Sequence, residues 1–169
     1  LSSWQKKIFK NKDIAMKKLL IFCIVFFIYG CNQDSPNIQQ IENMQFFIDN
    51  KKNDQIVEVE PGLQYMIINE GDAIGQSPKL NQTISAHFHG TLTSGDVFWT
   101  SIEGEPLTIE LSKLIIGCQK IISLMKKGDK WKVFIDPTMA YGEEGRPGIP
   151  SNSILIFEIE LLDITESME

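Results

Sequence analysis

Between Gly142 and Pro150 the chain carries three glycines (Gly142, Gly145, Gly148) and two prolines (Pro147, Pro150), so neither a helix nor a regular strand can cross this segment. A Tyr-Gly turn, Tyr141-Gly142, leads into it. Directly after it, Leu155, Phe157, Ile159 and Leu161 alternate with Glu158 and Glu160, the period of a strand with one buried face. The closing strand is thus entered from an irregular loop, and its apolar side needs the rest of a sheet to cover it.

Other segments supply that sheet. Gln64 to Ile68 is apolar and extended, and Thr83 to Leu92 is rich in aromatic and β-branched residues. Lys130 to Ile135 sets Trp131, Val133 and Ile135 against Lys130, Lys132 and Phe134. These patterns predict an antiparallel sheet with one wet face. One helix interrupts it: Cys118, Ile121, Ile122 and Met125 share a stripe, Lys126-Lys127 would occupy the last turn at the negative end of the dipole, and Gly128 would stop it. A second, short amphipathic helix is suggested by Ile38, Ile41, Met44 or Gln45, and Ile48, with Phe47 beside them. Packing on the domain's own surface and weak self-association are the two uses open to it.

The N-terminal end reads as an address. Met16-Lys17-Lys18 precedes an apolar run of eleven residues, Leu19 to Tyr29, which ends at Gly30-Cys31. A membrane-crossing helix needs about 20 residues, so a secretory signal fits better than an uncleaved anchor. The segment Ile28 to Cys31 resembles a bacterial lipobox, which implies that Cys31 becomes the lipidated first residue and that Leu1 to Ala15 lies upstream of the signal. Polar Asn32 to Asn37 would serve as a tether. Beyond Gly30 there are ten Lys and Arg against 21 Asp and Glu, a balance that excludes nucleic acid as a partner. Signal cleavage and lipidation would leave Cys118 as the one free thiol of the mature chain and rule out an internal disulfide.

Several motifs occur together in a characteristic order: GLQYMIINEG at Gly62, AHFHGTLTSG at Ala86, DVFWTS at Asp96, LIIGCQKIISLM at Leu114 and AYGEEGRPGIPSNSILIFEIELLDI at Ala140. In these the chain resembles the FKBP-type peptidyl-prolyl cis/trans isomerases, including the bacterial Mip-like and FkpA-like lipoproteins. The resemblance implies an α+β fold, a curved antiparallel sheet of about five strands wrapped around one short helix. It divides the chain into upstream residues and signal (1–30), lipidated Cys31 with tether and short helix (31–55), and an isomerase domain (56–166).

Isomerisation makes and breaks no covalent bond, so the activity needs no cofactor and no metal. It needs a dry pocket that holds the proline ring and prefers the twisted amide to either planar form. The resemblance assigns catalysis to Tyr141, Phe157 and Phe98, and substrate binding to Phe88, Trp99, Leu107, Leu114, Ile115, Cys118 and Ile149. The backbone amide at Ile115 and the hydroxyl of Tyr141 would donate hydrogen bonds to the ligand. Some positions depart from the family pattern. Phe88 stands for a usual Tyr, Trp99 for a usual Asp, Leu107 for a usual Phe, and Cys118 for the Trp that floors the pocket. Losing the Tyr and the Asp together leaves no stranded polar partner, a fault that would cost about 1–3 kcal/mol. Trp99 is expected to lean in and restore part of the wall that Cys118 cannot supply.

The expected substrates are X-Pro segments of folding proteins at the bacterial envelope, outside the cytoplasm, with FK506-like macrolides bound weakly. A fold that keeps the scaffold as a non-catalytic binding module or holdase is the alternative. His87 and His89 share a strand face, a spacing also found in metal sites, but the sequence offers no third ligand beside them. Cys118 near a helix start would gain acidity from the dipole and lose it to apolar neighbours. Arg146-Pro147-Gly148 reads as turn chemistry.

Overall fold

The computed structural model describes residues 37–165. Helix α1 spans Ile38–Asn50 and is followed by strands β1 (Val57–Glu60), β2 (Leu63–Asn69), β3 (Thr83–Leu92), β4 (Val97–Thr100) and β5 (Leu107–Glu110). Helix α2 covers Ile116–Ile122, and strands β6 (Lys130–Ile135) and β7 (Leu155–Thr165) complete the order. Short 3-10 turns at Leu111–Lys113 and Pro137–Met139 precede α2 and the Tyr141 loop.

All pairings are antiparallel, in the order β1-β2-β6-β7-β3-β4, and β5 also pairs with β3. The seven strands exceed the five or so expected, because β1, β4 and β5 are only four residues each, too short for their pattern to stand out as a strand. Both β4 and β5 sit on one edge of β3, whose other edge carries β7 along its whole length. The mixed α+β class is as expected.

Helix α2 lies on the concave side and buries Gly117, Cys118, Ile121 and Ile122. Its approach to β6 is close: a Cβ at Gly117 would stand 2.4 Å from Cγ2 of Ile135. Leu63, Ile84, Leu111, Val133, Ile135, Leu155, Ile159 and Leu161, all fully buried, close the core around it.

Three expectations need correction. The helix ends at Ile122, well before Lys126-Lys127, so those lysines do not complement its dipole. The buried carboxylate of Asp129 explains the early exit, since it accepts from the backbone amides of Lys126 at 2.6 Å and Gly71 at 2.7 Å. Lys127 instead pairs with Asp163 at 2.7 Å. Second, the outer face is not wet throughout: Phe134 is buried there against Phe47 and Ile154, with Phe46 and Ile156 alongside. Third, α1 packs on that face through Asn43 and Phe47 rather than through its isoleucines, and Ile38, Ile41, Met44 and Ile48 are exposed. Polar ties fix the choice. Asn43 donates to the carbonyl of Asn152 at 2.9 Å, and fully buried Gln64 donates to the carbonyl of Phe47 at 3.0 Å.

Candidate functional site

A cavity of about 210 Å³ opens between the concave face of the sheet, the start of α2 and the loop after Tyr141. Drug-sized pockets run to ~300–1,000 Å³, so this one suits a single ring-bearing residue better than a large ligand. Its wall brings together all ten side chains that the sequence singles out for catalysis and binding: Phe88, Phe98, Trp99, Leu107, Leu114, Ile115, Cys118, Tyr141, Ile149 and Phe157. Cys31 lies outside the described residues.

Each wall residue is delivered by its element. Phe88 and Phe157 come from the inward rows of the central strands β3 and β7, and both are nearly buried. The ring of Phe157 meets Phe98 edge-on, with centroids 5.4 Å apart and planes at 87°, and meets Phe88 at 6.2 Å and 81°. Such T-shaped pairs set the positive ring edge against the negative face and hold the cluster rigid. Gly90 makes room for them, since a Cβ there would stand 2.5 Å from Cζ of Phe98 and 2.9 Å from Cε1 of Phe157.

Neighbouring residues on a strand normally point to opposite faces, yet Phe98 and Trp99 both reach the cavity. The β3–β4 register shifts between Gly90 and Thr91, and an irregularity of this kind re-aims side chains on an edge. Trp99 is 41% exposed and stands 5.8 Å from the ring of Phe88, centroid to centroid. The two positions where polar groups are usual therefore hold an apolar ring pair.

The polar features are few. Ile115 precedes α2 in an extended conformation, and its amide makes no hydrogen bond among the described residues, which leaves it available as a donor. The hydroxyl of half-buried Tyr141 accepts from Nη1 of Arg146 at 2.7 Å and keeps its own proton free to donate. The guanidinium also stacks on that ring, 4.9 Å from its centre. Arg146 and Pro147 are wall residues that the turn reading misses. The available signal is that Arg146, the only arginine in the chain, stands five positions after Tyr141.

Cys118 does not carry an activated thiolate. It is 2% exposed, and burial pushes its thiol up from 9.0 to about 12. The apolar surroundings outweigh the dipole of a helix only seven residues long. An unfolded thiol ionises at its ordinary value while the folded one stays neutral, so this group's contribution to stability is complete below pH 9 and lost as the pH rises toward 12. Urea unfolding at pH 8 and pH 10.5 should show a larger alkaline loss for the wild type than for Cys118→Ala. Equal losses would show that the buried thiol plays no part.

His87 and His89 lie on the outer face, where Nδ1 of each sits near a hydroxyl, Ser101 at 3.2 Å and Thr100 at 3.1 Å. Neither lines the cavity. Among the described residues, no group of three or more His, Cys, Asp and Glu is placed to hold a metal ion.

The sheet packed on α2 thus carries a small aromatic-lined cavity with an amide and a hydroxyl as its free donors. Residues 75–162 match the FKBP-type peptidyl-prolyl cis-trans isomerases, and the chain belongs to that family. It is 37% identical over 126 residues to FkpA of Aeromonas hydrophila, covering 74% of this chain and 46% of that protein. It is also 37% identical over 121 residues to Mip of Coxiella burnetii, covering 70% and 52% respectively. The chain thus spans about half the length of these curated relatives. Among solved structures, a peptidyl-prolyl cis-trans isomerase of Pseudomonas syringae matches with a TM-score of 0.71 and 26% identity, covering 80% of this chain and all of that one. FkpA of Escherichia coli matches with a TM-score of 0.72 and 29% identity, covering 99% and 75%.

Proposed function

We propose that this protein catalyses cis–trans isomerisation of X-Pro bonds in folding polypeptides, with the prolyl ring seated against Phe98, Phe157 and Trp99. The observation that carries the proposal is the convergence of ten apolar and aromatic side chains on one small cavity beside the Tyr141 hydroxyl and the Ile115 amide. Rotation about the bond must overcome ~18–20 kcal/mol of amide resonance. A twisted amide has lost its charge separation, so it enters an apolar site more cheaply than a planar one. Tyr141 donates to the carbonyl of the residue before proline, and the Ile115 amide to the backbone beyond the ring, which orients the segment without chemistry on the protein.

The finer reading extends to location and partners. Lipid on Cys31 would tether the domain outside the cytoplasm at a bacterial envelope, mass analysis of the mature N-terminus being the direct test. The exposed row Ile38, Ile41, Met44 and Ile48 would support weak self-association. FK506-like macrolides would bind weakly, since the Cys118 thiol offers a ring far less surface than an indole. That same missing surface favours the second reading, a binding module or holdase without turnover.

A protease-coupled or NMR exchange assay on a short Ala-Pro peptide separates the two readings. Turnover above the uncatalysed rate is expected, and Trp99→Ala should lower kcat/KM by about three- to tenfold, the worth of part of one aromatic wall. Undiminished activity in Trp99→Ala would remove that residue from the site. No turnover by the wild type would leave the binding module.

A further inference from the structure

We propose that Arg146 makes this pocket selective for X-Pro segments in which the residue before proline carries a carboxylate. The inference rests on the isomerase reading and names the substrate class within it. Of the twelve residues lining the cavity, Arg146 alone carries a full charge, in a chain whose net charge is −6. A cation at the mouth of an apolar pocket is therefore a local exception to the field of the whole molecule.

The guanidinium is held in place from two sides. Arg146 and Ile149 exchange backbone hydrogen bonds of 2.9 and 2.8 Å across Pro147-Gly148, and Gly148 supplies the positive φ of 84° that this tight turn requires. Ile149 is itself buried at 4% exposure, which anchors the turn. At the other end, the side chain is fixed on Tyr141 by the hydroxyl contact and the stacked ring.

Its donors are mostly unspent. A guanidinium carries five N–H groups, and one contact, to the Tyr141 hydroxyl, accounts for its hydrogen bonds among the described residues. The ion pairs of the described residues are all made by lysines. Glu143 and Glu144, the nearest acids in sequence, form neither a hydrogen bond nor an ion pair with it. The group can therefore accept a carboxylate, and its planar fork suits one in bidentate fashion.

Tyr141 fixes which substrate residue is read. The amide that rotates has its carbonyl on the residue before proline, and that carbonyl is the one assigned to the Tyr141 hydroxyl. With that carbonyl on Tyr141, a side chain on the same residue would come within reach of the guanidinium that rests on the Tyr141 ring.

The test uses three peptides that differ only before proline, with Glu, Gln or Lys, and compares kcat/KM within each enzyme. The wild type should favour Glu over Gln by about three- to fivefold at low salt and disfavour Lys, the range of one exposed charge pair. Salt should shrink the preference. Arg146→Gln should erase it, while Arg146→Lys should keep a weaker form. Arg146 is exposed, so these variants leave the core intact. Equal rates for Glu and Gln in the wild type would overturn the proposal, as would a Glu preference that survives in Arg146→Gln. If the Gln peptide is not isomerised at all, the isomerase reading fails. The ratio of Glu to Gln peptide affinities, taken from NMR shift titrations of the same proteins, then decides the selectivity.

Discussion

Phe157→Ala should lower the free energy of unfolding by about 3–5 kcal/mol and reduce isomerase kcat/KM by about 10- to 100-fold. Phe157 is 6% exposed on β7, in register with Gly90 on one side and Val133 on the other, so its ring lies over the centre of the sheet. It is also the ring that both Phe88 and Phe98 meet edge-on. Truncation leaves a cavity that the paired strands cannot collapse into, and it deprives the prolyl ring of one wall. A domain of this kind holds ~5–15 kcal/mol in all, so the variant should remain folded at low temperature, where activity and urea midpoint can be read on one sample. A loss below 1 kcal/mol would show that the ring cluster is not the keystone of the sheet. Full turnover in a destabilised variant would detach the cluster from catalysis.

The parts of the fold that follow a local period were legible in the sequence. β3 and β7 alternate over six or more residues and β6 over its first four, and the Gly/Pro loop before β7 declares itself by composition. Where the outcome depended on a distant partner, the local pattern misled. The spacing of Ile38, Ile41 and Ile48 marks a genuine helical stripe, yet the sheet takes the side bearing Asn43 and Phe47. The deciding contact reaches Asn152, 109 positions away. Phe134 looked like an outward residue because strand periodicity cannot register a helix laid over the outer face. Lys126-Lys127 looked like a helix terminus because the two amides that Asp129 captures are invisible to residue counting. At the candidate site, the resemblance supplied the ten apolar positions. Arg146 escaped because a Pro-Gly turn already explains that segment, and its contact with Tyr141 is a matter of side-chain direction.

Gly90→Ala should separate the pocket from the fold. Gly90 has no left-handed backbone, so the variant meets no conformational penalty of that kind; the obstacle is space. The added methyl would stand 2.5 and 2.7 Å from the tip of the Phe98 ring and 2.9 Å from Phe157. Phe157 is locked between β3 and β6, whereas Phe98 is half-exposed on the short edge strand β4 and can swing outward. Overpacking relieved in this way costs about 1–3 kcal/mol, less than the Phe157 truncation. The movement nevertheless carries Phe98 off the wall and breaks its edge contact, so kcat/KM for the Ala-Pro peptide should fall at least tenfold, a loss of about 1.4 kcal/mol in transition-state stabilisation. The loss should appear while circular dichroism stays close to wild type and the unfolding transition shifts by no more than that cost of about 1–3 kcal/mol. A variant that is fully active would show that proline does not rest on Phe98. A variant that fails to fold would show instead that the ring cannot leave its place.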